Sequence, residues 1–278
     1  MDPGQRPAGM TISFSSVRMS EHPTQTERDA FERDGYLVVE NALSSDLAAC
    51  LTERLESVIK MRRAMYERGE LHHGRTQIDG ANTRIFHILE NDPIFAELID
   101  HPPIVPYIRA LLNENPHFHA SDAYLEVEPT PDRGPGWHID GHDSGYRGLR
   151  PDIPHLQLKI AYFLSDMTDP DQGNLLLVPG SHRANEDPLP DRRAAFDTMT
   201  DAVQVCVSAG TAVMFHNAVW HTRGPFTREG GRRIMLYYAY EHPWMLANDE
   251  HFSYSRTFYD RLSTERRAYF HGCVFEKA

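Results

Sequence analysis

Between Ala123 and Tyr240 the chain breaks into short apolar or alternating runs: Ala123–Val127, Leu156–Leu164, Leu175–Val178, Val203–Val207, Thr211–Phe215 and Ile234–Tyr240. Pro, Gly, Asp and Asn separate them, which is the punctuation of turns, and the pattern is that of an antiparallel sandwich or barrel. The first 112 residues read differently. Thr24-Gln25-Thr26-Glu27 forms a capping-box pattern ahead of a short helix ending near Gly35, and Tyr36-Leu37-Val38-Val39 follows as a strand. A longer helix starts at about Asp46, with Leu47, Leu51, Leu55 and Val58 on one stripe, and Ile94–Ile99 and Ile104–Leu112 are shorter helical pieces. The expected fold is mainly β, with helices packed outside a barrel.

A length of 278 residues with 40% apolar and 10% aromatic content suffices for one large β-rich domain with a sizeable core. Residues 1–22 are rich in Gly, Pro and Ser and lack the apolar centre of a signal peptide, so they are expected to form a flexible tail ahead of a single domain over 23–278. A net charge of −12 argues against a nucleic-acid partner, since phosphate binding needs a basic footprint. No apolar run approaches a membrane span. Cys50, Cys206 and Cys273 are odd in number and far apart, which fits a reducing compartment, and the expectation is a cytoplasmic protein. Oligomeric state is not legible.

The chemistry is concentrated in Gly136-Trp137-His138-Ile139-Asp140-Gly141-His142. On an extended chain side chains alternate, so His138 and Asp140 point to one side and reach one metal. Imidazole with carboxylate suits Fe(II), and two His plus one carboxylate leave coordination positions open. Taken alone, His-x-Asp is weak in a chain with 16 histidines. A second segment, Thr211 to His221, runs from a strand into a turn and offers His216 and His221 as the third ligand. Arg232 and Arg233 follow at the start of the last strong strand, and alternation lets only one of them face inward. Arginine is the natural partner for a dicarboxylate, because its planar fork binds carboxylate bidentately and stays charged.

In order, Trp137–Asp140, Gly173-Asn174-Leu175-Leu176-Leu177-Val178-Pro179-Gly180-Ser181-His182, Gly210-Thr211, Phe215-His216, His221 and Arg232 resemble the motifs of the phytanoyl-CoA dioxygenase family of iron(II)/2-oxoglutarate-dependent oxygenases. The resemblance extends from about Thr24 to Tyr240. It implies a double-stranded β-helix (a jelly-roll, cupin-like barrel) and an oxidoreductase using Fe(II), 2-oxoglutarate and O2 on a small-molecule substrate. It implies His138, Asp140 and His221 as metal ligands and Arg232, eleven positions after His221, as the anchor of the distal carboxylate of 2-oxoglutarate. Arg84, Tyr124 and Tyr162 fall at family positions near the co-substrate. Asp140 occupies the position where related halogenases carry Ala or Gly, so hydroxylation of an unactivated C–H bond is expected rather than halogenation.

One departure stands out. Many family members have Ser two residues after the distal His, donating to the co-substrate, and here that position is Arg223. A competing reading is a cupin-like protein using its metal as a Lewis acid, or binding a small ligand, without 2-oxoglutarate. The Gly-, Asp- and Arg-rich segment from His142 to Pro154 reads as a lid or a plain loop.

Overall fold

The computed structural model describes residues 23–70, 75–140, 149, 153–184, 195–196, 199–245 and 254–271. The tail expected over residues 1–22 and most of the 142–154 loop lie outside the described residues.

Ten described strands are β1 (Tyr36–Val39), β2 (Thr76–Asp79), β3 (Asn82–Phe86), β4 (His117–Glu126), β5 (Gln157–Phe163), β6 (Leu175–Leu177), β7 (Val203–Gln204), β8 (Ala212–His216), β9 (His221–Arg223) and β10 (Arg233–Glu241). They pair antiparallel as a seven-stranded sheet in the order β1-β8-β5-β10-β4-β3-β2 and a three-stranded sheet, β7-β6-β9. All six runs read from the sequence overlap a strand, and the jelly-roll expectation holds, with two separate facing sheets rather than one closed cylinder.

Strand alternation divides the interior. On β5, Leu158, Ile160 and Tyr162 face one apolar cluster, whereas Ala161 and Phe163 face another. The first cluster joins the large sheet to the helices α1 (Gln25–Asp34), α2 (Ser45–Glu67), α3 (Pro93–Ala96) and α4 (Val105–Leu111). The second fills the space between the sheets, where Leu175 and Leu177 of β6 meet Val213, Phe215 and Met235. The same alternation on β10 sends Ile234, Leu236, Tyr238 and Tyr240 to the helices.

The helices start where local chemistry dictates. The Thr24 hydroxyl accepts from the Glu27 amide at 3.2 Å while the Glu27 carboxylate accepts from the Thr24 amide at 2.6 Å, a complete capping box. α1 ends at Gly35, whose φ of 78° is the left-handed region that glycine tolerates. Ser44 caps α2, whose Leu51 and Leu55 are fully buried against the large sheet. Truncating either leucine to Ala would cost about 2–5 kcal/mol through lost transfer energy and an unfilled cavity.

Candidate active site

The segment 137–140 meets β9 through one isolated antiparallel bridge, His138 to His221. His138 and His221 exchange both backbone hydrogen bonds at 3.0 Å, and the Asp140 amide donates to the Asn217 carbonyl at 2.8 Å. Trp137 and Ile139 turn into a third apolar cluster with Ala218 and Trp220, so His138 and Asp140 are driven to the opposite side. The turn before β9 is pinned from both flanks. The Ser181 hydroxyl accepts from the Trp220 amide at 2.8 Å, and the Asn217 side-chain carbonyl accepts from the Leu156 amide at 3.0 Å.

His138, Asp140 and His221 converge, with one donor atom from each lying within 4.8 Å of the others. His138 Nε2 is 3.9 Å from Asp140 Oδ1, and His221 Nε2 is 3.7 Å from Asp140 Oδ2. Each imidazole has its Nδ1 on a backbone carbonyl, Gly136 at 2.7 Å and Val219 at 2.9 Å. A carbonyl only accepts, so Nδ1 carries the proton and Nε2 presents a lone pair to the centre. Asp140 Oδ1 accepts from Lys159 Nζ at 3.0 Å, whereas the buried Oδ2 has no hydrogen-bond partner. A buried carboxylate oxygen left bare between two imidazole lone pairs is costly unless a cation sits there. The donor set and the orphaned oxygen fit a divalent metal of borderline hardness such as Fe(II). Burial and the neighbouring His138 push the His221 imidazole down to about 3, favouring the neutral, ligating form. Burial opposes ionisation of Asp140, but Lys159 and the two imidazoles hold its carboxyl well below the usual range.

His216, the alternative third ligand, belongs elsewhere. Its ring stacks on His155 at 4.4 Å, and its Nδ1 accepts from the Ala218 amide at 2.9 Å.

The triad opens into a cavity of about 540 Å³ between the sheets, lined also by Tyr124, Lys159, Phe215, Arg223, Arg233 and Tyr237. Of the two adjacent arginines, Arg233 lines this cavity and Arg232, the one expected there, does not. β10 begins at Arg233, which shares the inward parity of Met235 and Tyr237. Arg232, one residue earlier, is half exposed and pairs with Glu56 of α2 at 2.5 Å. Arg233 Nη1 donates to Glu126 Oε2 at 2.8 Å, Nε to the Gly173 carbonyl at 2.8 Å, and Nη2 to the Tyr237 hydroxyl at 3.3 Å.

Arg84 and Tyr124 are in the cavity wall. Arg84 Nη2 donates to Asp122 at 2.6 Å, and its guanidinium lies 5.0 Å from the Tyr124 ring centroid. Arg233 covers the same ring at 4.9 Å. Tyr162 does not line the cavity. It has the outward parity of β5 and lies buried under the helices, with Tyr238 edge-on at 5.6 Å. Arg223 does line the cavity but is held back: Nε donates to Glu126 Oε2 at 3.0 Å and Nη2 to the Thr130 hydroxyl at 3.0 Å.

Among the wall residues that the sequence reading did not assign to the site are Lys159, Glu126 and Tyr237. Lys159 carried a usable signal, since it is the one charge inside the apolar run Leu156–Leu164 and has the inward parity. Glu126 ends β4 and did not stand out, and the Tyr-rich strand holding Tyr237 reads from its sequence as sheet packing. Glu126 is buried, which raises the cost of its charge, yet Arg233 and Arg223 hold its carboxyl below its ordinary range.

The ectoine dioxygenase of Bordetella bronchiseptica is 26% identical over 185 residues, covering 62% of this chain and 54% of the relative, so the chain spans about half that protein's length. Among solved structures, EctD from S. alaskensis with 2-oxoglutarate and 5-hydroxyectoine bound is similar at a TM-score of 0.63 and 20% identity, covering 84% of this chain and 79% of that one. HygX from Streptomyces hygroscopicus with nickel, 2-oxoglutarate and hygromycin B bound has a TM-score of 0.63 at 18% identity, covering 91% and 97%. At these identities the structural likeness speaks for the fold. The model of the phytanoyl-CoA dioxygenase (PhyH) family matches residues 31–234, a span running from α1 to the second residue of β10 and containing the whole triad. Because one family model accounts for most of its length, the chain belongs to the phytanoyl-CoA dioxygenase (PhyH) family.

Proposed function

We propose that this protein is an Fe(II)- and 2-oxoglutarate-dependent dioxygenase that hydroxylates an unactivated C–H bond of a small-molecule metabolite. The observation that carries the reading is the pairing, in one cavity, of the His138–Asp140–His221 triad with the buried guanidinium of Arg233. A site that used its metal only as a Lewis acid would not need a buried dicarboxylate anchor. The ectoine dioxygenases among its relatives, and the 2-oxoglutarate in both structural neighbours described above, support the same assignment.

His138 Nε2, His221 Nε2 and Asp140 Oδ2 would hold the metal. Lys159 fixes Asp140 Oδ1, which leaves the other oxygen as the ligand. Strand register orders the cavity. Lys159 lies across from Phe215 and Ala239 at the triad end, Tyr237 lies across from Ala161, and Met235 from Phe163, with Arg233 two residues further. The triad and Arg233 line the same cavity, so a dicarboxylate bound there would have the metal and the guanidinium as its partners. Fe(II) held there would activate O2, whose four-electron reduction is supplied by 2-oxoglutarate, decarboxylated to succinate and CO2, and by the substrate C–H bond, one oxygen atom entering succinate and the other the new hydroxyl group. Phe215 and Leu175 form apolar wall beside the triad and restrict water there. The cavity volume falls in the range of small-molecule sites. Asp140 fills the position that halogenases leave open, which directs the outcome to hydroxylation.

Purified protein given Fe(II), 2-oxoglutarate and O2 should release succinate slowly even without added substrate, and Asp140→Ala should abolish that release. Succinate formation unchanged in Asp140→Ala would refute the assignment.

A further inference from the structure

The place of the usual serine, two residues after the distal histidine, is taken by Arg223, and Arg223 does not offer a substitute contact. Its Nε and Nη2 are committed to Glu126 and Thr130, and Nη1 leans on the Gly224 carbonyl at 3.4 Å. Thr222, the neighbouring hydroxyl, accepts from the Gly136 amide at 3.0 Å and serves the 137–140 segment. The distal end of the cavity is still built with care. Arg223 and Arg233 share Glu126 Oε2, and Gly173 makes room for both. A Cβ there would stand 2.9 Å from Arg233 Cδ and 3.3 Å from Arg223 Nε.

The Tyr237 hydroxyl at this end has only a weak acceptor for its proton. Tyr237 projects inward from β10, lines the cavity, and receives Nη2 of Arg233 on its oxygen at 3.3 Å. The acceptor found for its own proton is the Met235 sulfur at 4.0 Å, and a thioether is a weak acceptor. The ring is fixed edge-on against Tyr124 at 5.5 Å and 77°. A donor held at the rim of a guanidinium and otherwise matched only by sulfur has the placement required to share a carboxylate with that guanidinium.

We propose that Tyr237 is a co-substrate-binding residue, whose hydroxyl donates to the same distal carboxylate that Arg233 binds, in place of the serine that Arg223 displaced. This rests on the reading of 2-oxoglutarate as co-substrate. Arg223 then serves as half of a brace, with Glu126, that holds Arg233 in line.

The test is calorimetric titration of the zinc-loaded full-length protein, which binds without turning over, with two probes. One is 2-oxoglutarate. The other is 2-oxopentanoate, which keeps the keto acid and the chain length but ends in a methyl group. Tyr237→Phe removes only the hydroxyl, and a hydrogen bond to a charged group is worth enough to weaken 2-oxoglutarate binding about ten- to a hundred-fold. Binding of 2-oxopentanoate should be unchanged, because it has nothing for the hydroxyl to hold. Equal weakening of both probes would show a packing role and overturn the proposal. So would unchanged 2-oxoglutarate binding in Tyr237→Phe while Arg233→Met still abolishes it, a result that leaves the proposed function standing. If the unaltered protein binds neither probe, the co-substrate reading itself fails and the Tyr237 proposal goes with it.

Discussion

Arg232 and Arg233 are adjacent, chemically identical and oppositely placed, so substituting each in turn by Met tests the assignment with an internal control. Arg233 is 3% exposed, with its guanidinium shared among Glu126, Gly173 and Tyr237. Removing one member of a buried ion pair costs about 3–5 kcal/mol, because the partner charge is left without compensation. Here Glu126 keeps Arg223, which points to the lower end, about 3 kcal/mol. For a domain of this size that is a fall of roughly 6–12 °C in Tm. Arg232 and Glu56 are 52% and 46% exposed, and such a pair contributes about 0.2–1 kcal/mol. The binding consequences diverge further. A carboxylate that loses a buried guanidinium loses about 3–4 kcal/mol, or roughly 200- to 1000-fold in affinity for 2-oxoglutarate. Thermal melts and calorimetric titration of the zinc-loaded variants read both quantities. Arg233→Met should be destabilised and blind to 2-oxoglutarate, while Arg232→Met should match the parent in both. If Arg232→Met lost co-substrate affinity and Arg233→Met retained it, the strand parity argued for β10 would be wrong.

Other expectations follow from the same contacts. Gly173→Ala puts a methyl group 2.9 Å from Arg233 Cδ at a residue with φ of 75°, so it should weaken 2-oxoglutarate binding about ten-fold through displacement of Arg233; unaltered affinity would show that the guanidinium tolerates the shift. Lys159→Met strips Asp140 of its hydrogen-bonded cation and should lower metal-free stability by about 1–3 kcal/mol. Bound zinc supplies a replacement charge, so the Tm gap to the parent should narrow on zinc addition, and a gap that stays constant would contradict the account. The buried His117 is pushed down to about 4 by burial, and His216 well below its ordinary value for the same reason. A base with a lowered folded pKa binds fewer protons folded than unfolded, so stability is complete above pH ~6.5 and falls as pH drops from there towards about 4. His117 alone accounts for about 3 kcal/mol of that fall. Denaturant unfolding at pH 7 and pH 5 should show the loss, and His117→Gln should reduce it.

How much of this was legible beforehand follows from what periodicity can and cannot encode. The six strand runs, the capping box at Thr24 and the stripe on α2 were readable because alternation, capping chemistry and helical spacing are local. The hairpin of β2 and β3 was missed because Thr76–Asp79 and Asn82–Phe86 are short and polar, although Asp79-Gly80 is a hairpin signal, and Gly80 indeed takes a φ of 56°. β9 is only three residues long and takes its place by exchanging hydrogen bonds with His138, a tertiary contact. The triad was readable because His138 and Asp140 share a parity and motif order supplied His221. The proposed anchor was not, since choosing between Arg232 and Arg233 requires the first residue of β10, and a slip of one residue turns every side chain to the other face. Tyr162 illustrates the same point. Lys159 and Tyr162 have opposite parity on β5, so a strand that sends Lys159 to the triad must send Tyr162 to the helices.

The central claim, that the triad and Arg233 together hold iron and 2-oxoglutarate, is tested most directly by adding Fe(II) and then 2-oxoglutarate to the protein without oxygen and recording the visible spectrum. Chelation of a keto acid at an open iron site gives a weak charge-transfer band at about 500 nm. The account predicts that this band develops in the parent protein, is absent in His138→Ala, and requires far more 2-oxoglutarate in Arg233→Met. Iron binding without a band at any 2-oxoglutarate concentration, or a band indifferent to Arg233, would contradict it.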